Sequence, residues 1–556
     1  MGGFAPAYSQ NIPSSVDSGR IERRIAPLPP QKQTEELFIP EGTKPAPAKP
    51  SAKGTFILRK VTVEGATAFS QEEIAQIYRE YLDLPAGLDT LNYIAGRITE
   101  LYRSHGYFLS KAVVSEQQIT DGVAKIAVVE GYVSRVRMEG TSLEKLKQQD
   151  RWNLLEKFPK KIMVLRPVNA PELERQLLLL NDLAGITAHA VIEPLPEEKA
   201  TPGGVGMVIH IEQSRYSGQV SLDNSGSRFT GPWEVAANAT STSNLIAFDR
   251  AYFTALTTPT NNEVHYFSAG YDLPVATDGT ALSFHAGYSD SAPGFHLKTN
   301  DIKSFTYSWG LGVNRSVIRS RETNVSLGAA LDFKNSATDV LNAKLSEDRI
   351  RVLRLTSHFD AKDGFRGSDT GAVTVSQGLD ILDASETGSR DLSRANGHSD
   401  FTKVEANLSR LQQFDNNIGI YASASGQYAW MTLLSSEEFG YGGQAFGRAY
   451  DPSEMLGDQG IAAAVEMRYD ETLQEYHTRL EPFIFYDVGE VWNVQAAIDK
   501  STSGASAGMG VRFWHGGDIS GSLTAALPLT RPEANPIYGN GKNPRWLFQL
   551  SYATVS

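Results

Sequence analysis

The sequence predicts a membrane β-barrel of about sixteen antiparallel strands, preceded by two tandem α/β modules and a short N-terminal helix. Three observations carry that expectation. From Ser217 onward, strand-like segments of alternating polarity follow one another between Gly, Asn, Asp, Ser and Thr turns, and helical periodicity stops. Mean hydropathy is −0.29, and no run of about eighteen apolar residues occurs. A transmembrane helix is thus argued against, whereas spanning strands hide their apolar band in alternate positions. Upstream, residues 55–213 carry one small α/β pattern twice.

Composition fits this class and narrows the chemistry. Among 556 residues there are 49 Gly, 22 Tyr, 24 Phe and 7 Trp, which supply turns and interfacial aromatics but also suit a soluble all-β protein. Cysteine is absent, so disulfides and thiol-based metal or catalytic sites are excluded. A net charge of −12 leaves no global basic footprint for nucleic acid. The start, Met1 to Gln10, lacks a basic n-region and an apolar h-region, and reads as a mature terminus with the signal removed.

Residues 1–26 form an N-terminal segment in which Ser14–Ile25 could hold a short helix. Pro27, Pro29, Pro30, Pro40, Pro45, Pro47 and Pro50 then make 27–54 an extended, semi-rigid linker. The first module, 55–132, opens with a strand from Phe56 to Val63. A helix follows the cap Ser70, whose partner Glu73 completes a capping box, with Ile74, Ile77, Tyr78 and Tyr81 as its apolar stripe. A second helix carries Leu91, Ile94, Ile98, Leu101 and Tyr102 and stops at Gly106. Strands at Phe108–Val114 and Val123–Val129, joined at Asp121-Gly122, complete it. The second module, 133–215, repeats this grammar: strands at Val133–Met138, Thr187–Glu193 and Val205–Glu212, helices at Leu143–Leu155 and Ala170–Leu183. Gly203-Gly204 reads as a hairpin tip, since no Lys-Ser/Thr follows and no helix begins there.

In the third region, 216–556, Ile418, Ile420, Ala422, Ala424, Tyr428 and Trp430 share one strand face, opposite Ser423, Ser425 and Gln427. Ala505 to Phe513 alternate in the same way with Ser506, Gly508, Gly510 and Arg512. Apolar-out, polar-in alternation fits lipid outside and water inside, and a soluble sandwich would give the same pattern. Expected strand starts fall near 216, 232, 247, 263, 280, 304, 322, 348, 369, 401, 417, 459, 476, 505, 518 and 545. The longest gap without strand pattern, 431–458, joins the eleventh and twelfth.

That gap holds a lone cation in a Gly-rich stretch, Gly442-Gly443-Gln444-Ala445-Phe446-Gly447-Arg448-Ala449-Tyr450. Some thirty residues on, Arg479, Glu481, Phe483, Phe485, Asp487 and Gly489 share one strand face, because side chains alternate with period two. If that face looks inward, Asp487 can receive Arg448 from a folded-in loop. The bland alternative is two unrelated solvated charges.

Taken in order, these segments resemble the two-partner secretion transporters of the outer membrane, the hemolysin-activator and filamentous-hemagglutinin exporter type. Ser18-Gly19-Arg20-Ile21-Glu22-Arg23-Arg24-Ile25 looks like that family's plug helix, with Arg20, Ile21, Arg23 and Arg24 as its candidate contacts. Gly106-Tyr107-Phe108, Gln118 to Val123 and Val129-Glu130-Gly131 resemble its first POTRA domain, and Leu173 to Ile186 the helix and turn of its second. Leu222 to Gly231 looks like the first barrel hairpin. Phe446, Gly447, Arg448, Ala449 and Tyr450 resemble the tip of the inward loop, and Phe483, Phe485, Asp487 and Gly489 the facing wall. Ala449 stands where many members carry Gly, and Ala184 where Pro is frequent. The chain ends in Val555-Ser556 instead of an aromatic, so Phe548 or Tyr552 is expected to serve as the barrel-assembly signal.

The resemblance implies export of an unfolded exoprotein partner across the outer membrane of a Gram-negative bacterium, with the POTRA domains in the periplasm. It implies contacts with membrane lipid and with the barrel-assembly machinery, and no cofactor. Client binding through strand edges and helix–strand grooves makes Tyr107, Val113, Leu177, Leu180 and Asn181 the candidates in the two modules. An enzyme is not expected: the ten His residues form no His-Glu-x-x-His pair, and no Gly-x-Ser-x-Gly elbow appears. Competing expectations are an outer-membrane insertase of the same superfamily and, from another class, a passive diffusion porin. Neither gives a reason for both the tandem modules and the N-terminal segment.

Overall fold

A computed structural model of the chain describes residues 17–21, 56–196, 201–259, 263–495 and 500–555. Arg23, Arg24, the linker 27–54 and most of the expected plug helix lie outside them. The chain divides into two compact units, one holding the α/β modules and the other the barrel with the N-terminal residues.

In the first module a three-stranded sheet is ordered Lys60–Glu64, Val123–Val129, Lys111–Val113, parallel then antiparallel. The helices Gln71–Tyr78 and Leu88–Ser104 bury Ile74, Tyr78, Leu91, Ile94, Ile98 and Tyr102 against Val61, Val63, Ala124 and Ile126. The capping box is present: the Glu73 N–H donates to Ser70 Oγ (3.3 Å) and the Ser70 N–H to Glu73 Oε2 (2.9 Å). Gly106 ends the second helix with φ +88°, a conformation a Cβ would strain. The expected strand from Phe56 to Val63 is instead broken. Phe56–Ile57 pairs with Pro85–Ala86, and Leu58 turns inward to be fully buried before Lys60–Glu64 begins.

The second module places Gly204–Gln213 between Tyr132–Glu139 (parallel) and Ile186–Glu193 (antiparallel). The single helix expected over Leu143–Leu155 is two, Leu143–Gln149 and Leu154–Val164. Asp150 causes the break: its carboxylate accepts the Leu155 N–H at 2.8 Å, while Asn153 takes a left-handed φ of 52°.

The second unit is a closed antiparallel barrel of sixteen strands among the described residues. Tyr216–Asp223 closes it, pairing with Glu234–Thr242 on one side and Arg545–Val555 on the other. The twelfth strand, Gln459–Tyr469, is interrupted and continued by Glu471–Leu473. Expected and observed starts track each other, with the largest offsets where a strand opens on loop-like residues: Ala343 for 348 and Ser501 for 505. Alternation runs as expected. In Thr478–Trp492, Ile484, Tyr486 and Val488 are exposed on the outer wall, while Glu481, Phe483, Phe485 and Asp487 are buried within. Strand lengths are uneven, from 8 residues in Tyr216–Asp223 to 20 in Ala343–Lys362.

Candidate functional site

The connection between Ile418–Ala429 and Gln459–Tyr469 folds into the barrel instead of outward. It is braced by a short hairpin, Phe439–Tyr441 with Met455–Gly457. Gly442 and Gly443 then adopt φ of +121° and +104°, and a Cβ at Gly442 would sit 2.2 Å from the Asp451 carbonyl oxygen. Only glycine permits that tight return. Gly447, at φ +75°, turns the tip so that Arg448 points at the wall.

Arg448 makes three hydrogen bonds to two carboxylates. Its Nη1 donates to Glu466 Oε1 (2.6 Å), its Nη2 to Asp487 Oδ1 (3.0 Å), and its backbone N–H to Asp487 Oδ2 (3.1 Å). The guanidinium lies 3.8 Å from the Phe485 ring centroid. A planar fork with five donors suits such a two-carboxylate, stacked site, and a lysine would not fill it. Ser506 Oγ donates a further bond to Asp487 (3.2 Å). Glu466 is shared with Arg468 (2.7 Å) and Arg512 (3.0 Å), and Arg512 continues to Glu481 (2.7 Å) while stacking on Phe483 at 4.0 Å. The Arg448–Asp487 contact therefore belongs to a network across the twelfth, thirteenth and fourteenth strands.

Other tip residues pack this network in place. Ala449 is buried with Phe483, Phe485 and Ala526. Phe446 is partly buried against Tyr441 and Tyr450. Tyr450 is fully buried, its Oη 3.0 Å from the Ala505 carbonyl oxygen and 3.2 Å from that of Arg531. Gly489 has its own reason to be glycine: a Cβ there would meet Tyr441 Cδ2 at 2.2 Å.

The neck of the loop forms a second network that sequence reading missed. Glu437 pairs with Arg354 (2.8 Å) and Lys403 (2.9 Å) of the wall, and Glu438 with Arg394 (3.2 Å). Arg394 also pairs with Asp458, whose Oδ atoms accept the N–H groups of Leu433 and Val494 at 2.8 Å. Adjacent acids in a loop carry no sequence signal that assigns their partners.

The N-terminal residues meet this neck. Ser18–Arg20 is a 3₁₀ turn capped by Asp17. Ser18 Oγ lies 2.8 Å from Thr306 Oγ1 and its carbonyl accepts from Ser289 Oγ (2.8 Å), both inward wall residues. Arg20 donates to the carbonyls of Ser435 (2.7 Å) and Glu438 (3.0 Å), and its charge lies 3.8 Å from the Glu438 carboxylate. Ile21 is buried with Leu256, Val264 and Tyr266.

The module candidates divide. Val113 lies on the edge strand of the first sheet, and Tyr107 is half-buried with its ring 5.8 Å from Tyr102. Leu177 and Leu180 require correction as client-binding residues: they are 2% and 0% exposed and belong to the second module's own core. Asn181 is likewise turned inward, bonding the Leu177 and Ala188 carbonyls (3.1 and 3.0 Å) and the Ala188 N–H (2.7 Å). Glu130 is the structural carboxylate of the first module. It accepts from Tyr102 Oη (2.7 Å) and from the N–H groups of Thr67 and Ala68 (2.7 and 2.9 Å). Burial alone would raise its pKa, but the bond from the Thr67 hydroxyl together with these three holds it below the ordinary carboxylate value.

Residues 207–513 match the family described as haemolysin secretion/activation protein ShlB/FhaC/HecB, and residues 56–131 match the ShlB-type POTRA domain. The heme/hemopexin transporter protein HuxB of Haemophilus influenzae is 24% identical over 570 residues, covering 99% of this chain and 97% of that protein. The outer membrane transporter CdiB of Escherichia coli is 23% identical, covering 90% and 84%. In fold, the chain is similar to solved CdiB from Escherichia coli (TM-score 0.71, 19% identity, 91% and 92% covered). It is also similar to CdiB from Acinetobacter baumannii (TM-score 0.64, 16% identity, 96% of each chain).

Proposed function

The chain belongs to the haemolysin secretion/activation protein family ShlB/FhaC/HecB, and on that premise we propose that it is the outer-membrane transporter of a two-partner secretion pair. It moves an unfolded exoprotein from the periplasm to the cell surface. The barrel lies in the outer membrane and the POTRA modules in the periplasm. The observation that carries the mechanism is the Arg448 loop, folded into a closed barrel and tied there by Glu466 and Asp487.

An even strand number returns the chain to the end at which it came in. The eleventh-to-twelfth connection therefore belongs to the cell-surface side and reaches down into the lumen. A client held as an extended chain adds to module edges such as Lys111–Val113 and Ile186–Glu193, where backbone bonds give affinity with little sequence demand. The closed barrel satisfies every strand backbone in lipid, and its inward Ser, Thr and Gln side chains hydrate a passing polypeptide. Residues 17–21, wedged between the wall and the loop neck, act as the resting plug, and the linker keeps the plug tethered once it leaves. Lipid covers the outer wall, and Phe548 or Tyr552 on the outward face of the last strand addresses the chain to the barrel-assembly machinery. No enzymatic step is assigned.

The test is export of the partner by Arg448→Ala. The expected result is lost secretion by a barrel that still inserts and retains heat-modifiable mobility. Full export by such a barrel sinks the mechanism. Deleting residues 1–30 separates an exporter from a passive porin, since only a plugged channel opens wider.

A further inference from the structure

The fourteenth strand, Ser501–His515, is unevenly partnered. Its ladder with Thr478–Trp492 extends to Ser501, but its ladder with Ile519–Pro528 stops at Ser506, opposite Pro528. Proline offers no N–H, so pairing ends there. The chain then leaves: the Leu529 N–H donates to the Ala505 carbonyl (2.9 Å), and the Ala505 N–H donates to Thr530 Oγ1 (2.9 Å). In an antiparallel ladder, residues two apart send both backbone groups to the same side. Ser503 and Ser501 therefore face where Ala505 faces, and the neighbouring strand has already ended. Both are exposed, and on that side they have no ladder partner among the described residues.

The space beside them is an open depression, bounded by Ser501, Thr502 and Ser503 and, across it, by Arg531, Glu533 and Pro536. Pro532 and Pro536 deny the facing loop two of the donors it would need to cover the edge. Two residues along the strand from Ser503, Tyr450 Oη lies within bonding reach of the Ala505 carbonyl and of the Arg531 carbonyl. The tip of the inward loop thus ends where the open edge begins. Strand order puts this edge on the cell-surface side of the barrel.

We propose that Ser501 and Ser503 form a strand-addition site for the exported polypeptide as it emerges. The proposal rests on the export reading above. The ligand class is any extended segment. Two residues present two N–H and two C=O groups, and side chains as small as Ser, Thr, Gly and Ala at 501–505 leave recognition to the backbone. Pinned there, the first exported segment cannot slip back and has a template on which to begin folding.

The chain has no cysteine, so single-cysteine variants report cleanly. The probe is a synthetic peptide of about ten residues, alternating Thr and Val, that carries an activated disulfide, applied to the full chain in nanodiscs. Ser501→Cys should react at least about tenfold faster than Tyr538→Cys, a solvent-exposed position in the connection that follows Pro528. Adding Ser503→Pro should remove the advantage without touching barrel hydrogen bonds, whereas Ser503→Ala should preserve it. Equal rates, or indifference to Ser503→Pro, overturn the site, as does a crosslinked product that is a dimer of the barrel. In cells, Ser503→Pro should slow the appearance of protease-resistant partner on the surface while the partner still crosslinks to the lumen. Unchanged surface maturation with export intact refutes the edge alone. Absence of any crosslink from a single cysteine placed on an inward wall position of the otherwise unmodified chain refutes both the edge and the export reading.

Discussion

Replacing Arg448 with Ala separates two carboxylates that share one cation. Glu466 keeps Arg468 at 2.7 Å and Arg512 at 3.0 Å, so its charge stays compensated. Asp487, fully buried, keeps only the residue-448 N–H and Ser506 Oγ. Breaking a buried pair by removing one partner costs about 3–5 kcal/mol, and with one of two carboxylates orphaned the low end, about 3 kcal/mol, is expected. That corresponds to a loop-opening equilibrium shifted by about a hundredfold. Ala449, 1% exposed beside the missing cation, supplies the readout. As Ala449→Cys in the full chain, its thiol-labelling rate should rise by that factor when Arg448→Ala is added. Asp487→Ala added to Arg448→Ala should cost little beyond the larger single change, because the two groups act on each other. A labelling change below about threefold, or fully additive single effects, would refute the account of the loop as held by this pair.

Gly489→Ala pushes a methyl group to 2.2 Å from Tyr441 Cδ2. Overpacking of this kind costs about 1–3 kcal/mol, so Ala449→Cys labelling should rise while barrel folding is kept, and unaltered labelling counts against the packing role. Arg20→Ala removes the bonds to the Ser435 and Glu438 carbonyls. Planar-bilayer recordings should then show more frequent and wider openings, and conductance identical to the unmodified chain would remove Arg20 from the resting closure. Glu130→Gln should destabilise the first module by about 1–2 kcal/mol at neutral pH, read as faster amide exchange at Thr67 and Ala68 after correction for intrinsic rates. Because its folded pKa is depressed, the Glu130 contribution is complete above the usual carboxylate value of 4.5 and fades as the pH falls through the lower folded value. The difference between the two proteins should therefore close in acid; a gap that stays constant there contradicts the assignment.

Period-two alternation made the barrel legible, because lipid outside and water inside act on every residue of every strand. The same parity placed Asp487 inward, and the Gly-rich stretch marked a tight loop, so one contact could be anticipated. Glu466, Arg468 and Arg512 were within reach of that logic: Ile461, Val465 and Met467 face out, which sends Glu466 and Arg468 in. What local pattern cannot supply is which inward residues meet, since the stagger between strands is set by closure of the whole sheet. Leu177 and Leu180 failed as client-binding positions for a related reason. They sit in a run of four leucines, which a helix sends around most of its circumference, and the packing around that helix buries all four. The break at Asp150 was hidden because a carboxylate that caps one helix looks, in sequence, like a polar residue inside a longer one.

The uneven strand lengths give the barrel a tilted rim. At about 3.3 Å per residue and a tilt of about 40°, the 20 residues of Ala343–Lys362 rise about 50 Å. The 8 residues of Tyr216–Asp223 rise only about 20 Å, less than the apolar band of about 25 Å that an outer-membrane barrel must match. One flank is a high parapet standing clear of the bilayer, and the flank at the closing seam is a low sill. A chain leaving the mouth meets a screen on one side and open water on the other, so the direction of departure is built into the wall before any partner binds.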